Sequence, residues 1–132
     1  MPDAKCRISD AEWLVMKVLW KRASMTASDV VECLRPETGW SPKTVQTLLA
    51  RLVNKGALAV HKENGLNQYC PSVSQKECIG KETDYFLKKV YDGSFPLFLA
   101  NFVKNEKLSP EELQKLKDLL EEKLEQQEGD ST

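Results

Sequence analysis

Wound into a helix at about 100° per residue, the stretch from Lys43 to Leu52 sorts its side chains into two chemistries. Val45, Leu48, Leu49 and Leu52 share one arc, which suits a core. Lys43, Thr44, Gln46, Thr47, Ala50 and Arg51 share the opposite arc, where cationic and short polar groups stand with no carboxylate among them. In a DNA major groove such groups have defined uses: Arg forks onto guanine, Gln onto adenine, and Thr offers a hydroxyl to an acceptor and a methyl to thymine. Lys43, near the helix start, is placed for a phosphate. Any exposed helix face is polar, so the reading leans on what precedes the segment, a short helix and a turn.

A second group, His61, Lys62 and Asn64, follows on a hairpin, within reach of a backbone phosphate or the neighbouring minor groove. Lys62 on a solvent-facing strand edge serves equally well to block edge pairing. Arg7, just ahead of the first helix, poses the same choice. Catalysis finds little support, because His61 is the sole histidine and most Ser–His and Cys–His arrangements fall away with that count. Glu111 with Glu112 and Glu121 with Glu122 are explained by a helix start and a solvated face, and the glycine patterns that cradle phosphates or dinucleotides do not occur. The chain is read as no enzyme, with no catalytic residues and no cofactor. Cys6, Cys33, Cys70 and Cys78 never fall at C-x-x-C spacing and read as reduced thiols. A four-thiolate zinc site would have to gather scattered ligands, and no metal is expected.

Elements that position these residues are legible around them. Apolar Ile8, Ala11, Leu14, Val15, Val18 and Leu19 make one stripe of a helix running to Arg22, with Trp13, Met16 and Trp20 in a second. Ser9 or Asp10 caps its start, and Glu12 sits well near the positive end of its dipole. Thr26 opens a short second helix whose inward face is Val30, Val31 and Leu34, and Pro36 and Gly39 are expected to end it. Ser41 and Pro42 then cap and start the third helix, which Gly56 stops. Leu58 to Glu63 and Asn67 to Cys70 flank Asn64-Gly65, a tight hairpin pair. Three helices and a two-stranded ribbon in this order spell a winged helix-turn-helix, and the three tryptophans are assigned to its core.

The back half has another character. Gln75 to Asp92 shows Ile79, Phe86, Leu87 and Val90 on one face, and Phe95, Leu97, Phe98, Leu99, Phe102 and Val103 crowd the next segment. Leu116, Leu119, Leu120 and Leu124 line the last helix, opened by the Ser109-Pro110-Glu111-Glu112 capping box and frayed after Glu128. The fold class is therefore mainly α: a winged helix domain over residues 1–72 and a three-helix dimerisation domain over 73–132. A second copy is expected to cover the apolar rear, with Phe86, Val90, Phe95, Phe98, Leu99, Phe102, Leu116 and Leu120 at the interface; the alternative is a bundle closed within one chain.

Composition fits that division. The chain has 132 residues, 41% hydrophobic and 30% charged, and a net charge of -1. Up to Ser72 there are 10 Lys and Arg against 7 Asp and Glu; beyond it there are 9 against 13. The front leans basic, as a surface meeting phosphate should. No apolar run is long enough for a bilayer and no secretory stretch opens the chain, so a cytoplasmic protein without membrane insertion is expected.

Ser9-Asp10-Ala11-Glu12-Trp13, Trp40-Ser41-Pro42-Lys43-Thr44-Val45-Gln46-Thr47-Leu48, Arg51-Leu52, Lys55-Gly56, Val90-Tyr91-Asp92-Gly93 and Asn101-Phe102-Val103 together resemble the BlaI/MecI penicillinase and methicillin-resistance repressors. The resemblance covers nearly the whole chain. It implies a homodimeric repressor of palindromic operator DNA, clasped through its C-terminal helices and controlling β-lactam resistance genes. It further implies a membrane sensor with a zinc-protease domain, and cleavage of the repressor in its dimerisation domain; the matching bond here is Asn101–Phe102. Copper-responsive members of the wider superfamily carry a C-terminal cysteine cluster, whereas no cysteine follows Cys78 here, and copper sensing is set aside. Two other readings stand beside this one: a winged-helix adaptor that binds protein, and a repressor of unrelated genes without β-lactam induction.

Overall fold

The computed structural model describes residues 4–130. Each early helix starts on a hydroxyl that the sequence supplies. Ser9 Oγ accepts the Glu12 N–H at 3.2 Å and Glu12 Oε1 accepts the Ser9 N–H at 2.9 Å, closing a capping box at the head of α1 (Asp10–Arg22). Thr26 and Asp29 close a second box on α2 (Ala27–Thr38). Ser41 Oγ accepts from the Thr44 N–H at 3.3 Å, with Pro42 in the first turn of α3 (Pro42–Asn54).

The second helix does not stop at Pro36 as its sequence suggests. It runs through Pro36 to Thr38 and turns at Gly39, whose φ of 65° is the left-handed conformation glycine adopts without strain. Pro36 sits in the last turn, where its missing N–H removes one terminal bond instead of breaking a long ladder.

Antiparallel β1 (Leu58–Glu63) and β2 (Leu66–Pro71) pair in register from Leu58 opposite Pro71 to Glu63 opposite Leu66. Asn64 and Gly65, at φ of 54° and 80°, form the two-residue turn between them. The ribbon is stitched to the rest. Met25 N–H donates to the Tyr69 carbonyl at 3.0 Å and Tyr69 N–H returns the bond to Met25 at 2.8 Å, just ahead of α2.

Contacts divide the chain into two compact units, one ending at Phe86 and the other beginning at Leu87. The core of the first gathers Val15, Met16 and Leu19 of α1, Val30 and Leu34 of α2, and Val45, Leu49 and Leu52 of α3. Cutting Leu49 or Leu52 to Ala in so closed a site costs about 2–5 kcal/mol. Trp13, Trp20 and Trp40 are half-buried and pack against this core, with none fully enclosed. Trp20 Nε1 donates to the Val73 carbonyl at 2.9 Å, which fixes the chain between ribbon and α4 (Gln75–Tyr91).

The second unit holds the end of α4, α5 (Phe95–Asn105) and α6 (Pro110–Asp130). The last helix continues past Glu128, where fraying is expected from sequence, to Asp130. Phe98 is the hub of its aromatic set, with ring centroids 5.5 Å from Tyr91, 6.2 Å from Phe95 and 5.9 Å from Phe102. Among the described residues of α5 and α6 none is buried, and Leu97, Leu119 and Leu124 are more than half exposed. The whole is mainly helical with one small sheet, a winged helix followed by further helices.

Candidate nucleic-acid interface

Val45, Leu48, Leu49 and Leu52 are buried, so α3 is held on one side and its other side is fully presented. Lys43, Thr44, Gln46, Thr47, Ala50 and Arg51 are all exposed on it. Thr44, Thr47 and Arg51 stand at i, i+3 and i+7, one row along the helix. At 1.5 Å rise per residue the row spans about 10 Å, roughly three base-pair steps.

The two threonines are not equivalent donors. Thr47 Oγ1 donates to the Lys43 carbonyl at 3.0 Å, so its proton is committed within the helix. Towards a base edge Thr47 then offers an acceptor and a methyl, not the donor expected from its residue type. Thr44 Oγ1 lies 3.1 Å from Ser41 Oγ, and the pair shares one hydrogen bond at the helix start.

The ribbon separates the hairpin candidates. Neighbouring strand residues point to opposite faces, and directly opposed residues share one. Lys62 lies opposite Asn67 and Val60 opposite Tyr69, so these four are on one face. Asn67 and Tyr69 line a groove with Leu66, Thr26, Ala27, Ser28 and Gln46, so Lys62 shares a ribbon face with two of the groove's residues without lining it itself. His61 is on the other face, with Nε2 at 3.8 Å from Glu63 Oε2, and does not join Lys62 as the sequence reading allows. Asn64 is exposed at the turn between the strands. Arg7 is also engaged elsewhere: its guanidinium carbon stands 4.2 Å from the centre of the Tyr85 ring.

Thr26 and Ser28 of the groove were not singled out by sequence. The Thr26-Ala27-Ser28-Asp29 sequence signals a helix start and nothing more, and only the fold sets Thr26 and Ser28 in one groove with Gln46.

Apart from the exposed row, a part-buried ion pair ties α3 to α1. Lys55 Nζ donates to Glu12 Oε1 at 2.6 Å and to the Arg7 carbonyl at 2.7 Å, joining the last turn of α3 to the first of α1. Burial works against the Glu12 charge, but hydrogen bonds from Lys55 and the Ser9 backbone, with the Lys55 charge, outweigh it and hold the carboxyl below its ordinary value. Among the described residues, no group of three or more His, Cys, Asp or Glu is arranged to hold a metal, and no helix is long and apolar enough to cross a membrane.

The penicillinase repressor family matches residues 8–122 of the chain. The penicillinase repressor of Bacillus licheniformis is 42% identical over 116 residues, 88% of this chain and 91% of that protein. The methicillin resistance regulatory protein MecI of Staphylococcus aureus (strain N315) is 36% identical over 123 residues, 93% of this chain and 100% of the relative. Among solved structures, the DNA binding domain of the repressor BlaI in solution aligns with a TM-score of 0.50 at 46% identity, over 54% of this chain and 87% of that one.

Proposed function

The chain belongs to the penicillinase repressor family, a family of DNA-binding repressors and not of enzymes, and from that premise we propose that it is a homodimeric repressor of β-lactam resistance genes. The observation that carries this reading is the exposed, carboxylate-free row on a helix anchored by four buried side chains. In this mechanism α3 enters the major groove, Arg51 and Gln46 read base edges, and Thr44 and Thr47 contact bases alongside them. Lys43 and Lys62 meet phosphate.

Each winged unit offers only about three base-pair steps to α3, so tight binding calls for two units joined. Linking two weak grips raises affinity by about 10² to 10⁴ through effective concentration. Phe86, Val90, Phe95 and Phe102 are more than a third exposed in the single chain, and Leu120 is half exposed. With Phe98, Leu99 and Leu116 they form the face that a second copy covers.

Release follows from cutting that clasp. Asn101 and Phe102 are exposed within α5, and Asn101 is tied to Tyr91 Oη at 3.0 Å and to Asn105. A sensor protease at the membrane would act on the Asn101–Phe102 bond after α5 unwinds locally, since a helical peptide bond does not fit an extended protease cleft. The repressor acts in the cytoplasm.

A mobility-shift titration with the DNA upstream of the chain's own gene tests the reading. Binding should fall steeply with salt, and the target should be released in cells exposed to a β-lactam. No shift at low salt would leave the adaptor reading in its place.

A further inference from the structure

The segment just before α1 is held from both sides within the first unit. On one side the Arg7 carbonyl accepts from Lys55 Nζ at 2.7 Å, at the end of α3. On the other, the Arg7 guanidinium lies over the Tyr85 ring at 4.2 Å, and buried Cys6 meets buried Cys78 with 3.1 Å between sulfurs. Cys78 and Tyr85 are seven residues apart, two turns along a single face of α4. One short segment therefore connects the end of the DNA-facing helix to two points, two turns apart, on α4, the helix by which the chain leaves the winged unit.

We propose that Arg7 and Tyr85 are positioning residues that set the separation of the two half-sites the dimer accepts, by fixing the direction of α4 against the end of α3. This rests on the dimeric repressor reading above. The chemistry suits the task. A guanidinium over a ring holds an angle without being buried, and its strength is modest enough to tune direction without supporting the fold. The Cys6–Cys78 contact fixes the first turn of α4, and the Arg7–Tyr85 contact fixes its direction two turns later. A helix pinned at one point can swing, whereas one pinned at two cannot. Since operator geometry mirrors protein symmetry, a change of angle at this point is read as a change in half-site spacing.

The experiment is selection of duplexes from a random DNA pool by the full chain, followed by titration of the selected sequence with one and two base pairs inserted between half-sites. The wild-type chain should select paired half-sites at one spacing. Tyr85→Ala should select the same half-site, with discrimination against the inserted duplexes lowered about two- to fivefold, the range a partly exposed cation–π contact supports. Its affinity for a single half-site should be unchanged, which a merely destabilised winged unit would not show. Tyr85→Phe keeps the ring and should restore the wild-type spacing, while Arg7→Met removes the cation and should reproduce the loss. Unaltered spacing discrimination in both Tyr85→Ala and Arg7→Met would overturn the proposal. Selection of single half-sites by the wild-type chain would overturn the dimeric reading, and the proposal with it.

Discussion

Lys55 Nζ, at the end of α3, and Glu12 Oε1, in the first turn of α1, are 2.6 Å apart although 43 positions separate them in the chain. Only about 3% of the Glu12 side chain is exposed, against 25% for Lys55, so the carboxylate depends on its cation more than the cation depends on it. Lys55→Met should cost about 2–3 kcal/mol at pH 7, less than the 3–5 kcal/mol of a fully buried pair because water still reaches the lysine. Glu12 has a folded value lowered from 4.5, so the pair's stabilisation is complete above that value and is lost as pH falls through the lowered one. Urea unfolding should therefore show the gap between wild type and Lys55→Met narrowing from pH 7 towards pH 3; a gap of constant size would contradict the assignment.

Arg51 closes the exposed row of α3, seven residues on from Thr44. Arg51→Ala should weaken operator binding by about 1–3 kcal/mol and relax preference at one base position, as loss of a bidentate base contact does. Lys43→Ala should weaken all sequences alike and lower the salt dependence by about one counterion. Titrations at several salt concentrations against matched and single-base-altered duplexes separate the two behaviours.

Cys78 is pushed up to about 12 by burial, then by the hydrogen bond and charge of Cys6, with Glu77 adding to it. At pH 8 it therefore stays a thiol in the folded chain, and the thiolate is the reactive form. Cys33, exposed on α2, should be alkylated within minutes in the folded chain, while Cys6 and Cys78 should react only as the unit opens. Since folding retains the Cys78 proton, the associated stability is whole below the ordinary value of 9.0 and declines as pH climbs towards about 12. Mass spectrometry of timed labelling reads the order, and equal rates at Cys33 and Cys78 would refute it.

Phe98 contacts three other rings of its unit, and Leu120 is half exposed on α6. Joint replacement Phe98→Asp and Leu120→Glu should give a monomer in sedimentation that still binds a single half-site weakly. A dimer of undiminished stability would move the interface to another face.

Local features of this fold were readable in sequence because they are made by neighbours. Ser41 and Pro42 announce α3, Asn64 and Gly65 announce the hairpin, and the buried arc of Val45, Leu48, Leu49 and Leu52 is the one that the helical period picks out. Contacts between distant residues were not readable. Glu12 looked like a residue suited to a helix dipole, and its cation comes from the far end of α3. Cys6 and Cys78 looked like isolated thiols, and folding brings their sulfurs together across 72 positions. Of the candidate DNA contacts, the α3 row emerged whole from periodicity, but the committed proton of Thr47 and the split between His61 and Lys62 depend on bonds and strand faces that residue type does not encode.

The paired backbone bonds between Met25 and Tyr69 bear on the entropy of docking. A hairpin anchored only at its ends must surrender its freedom when it meets a duplex, and that loss is subtracted from affinity. Here the freedom is already gone before any encounter, having been given up when the chain folded. On the function proposed above, Lys62 and α3 would meet a duplex as one preshaped body, and a mutation that unzips the Met25–Tyr69 pair should weaken binding although it removes neither Lys62 nor any residue of the α3 row.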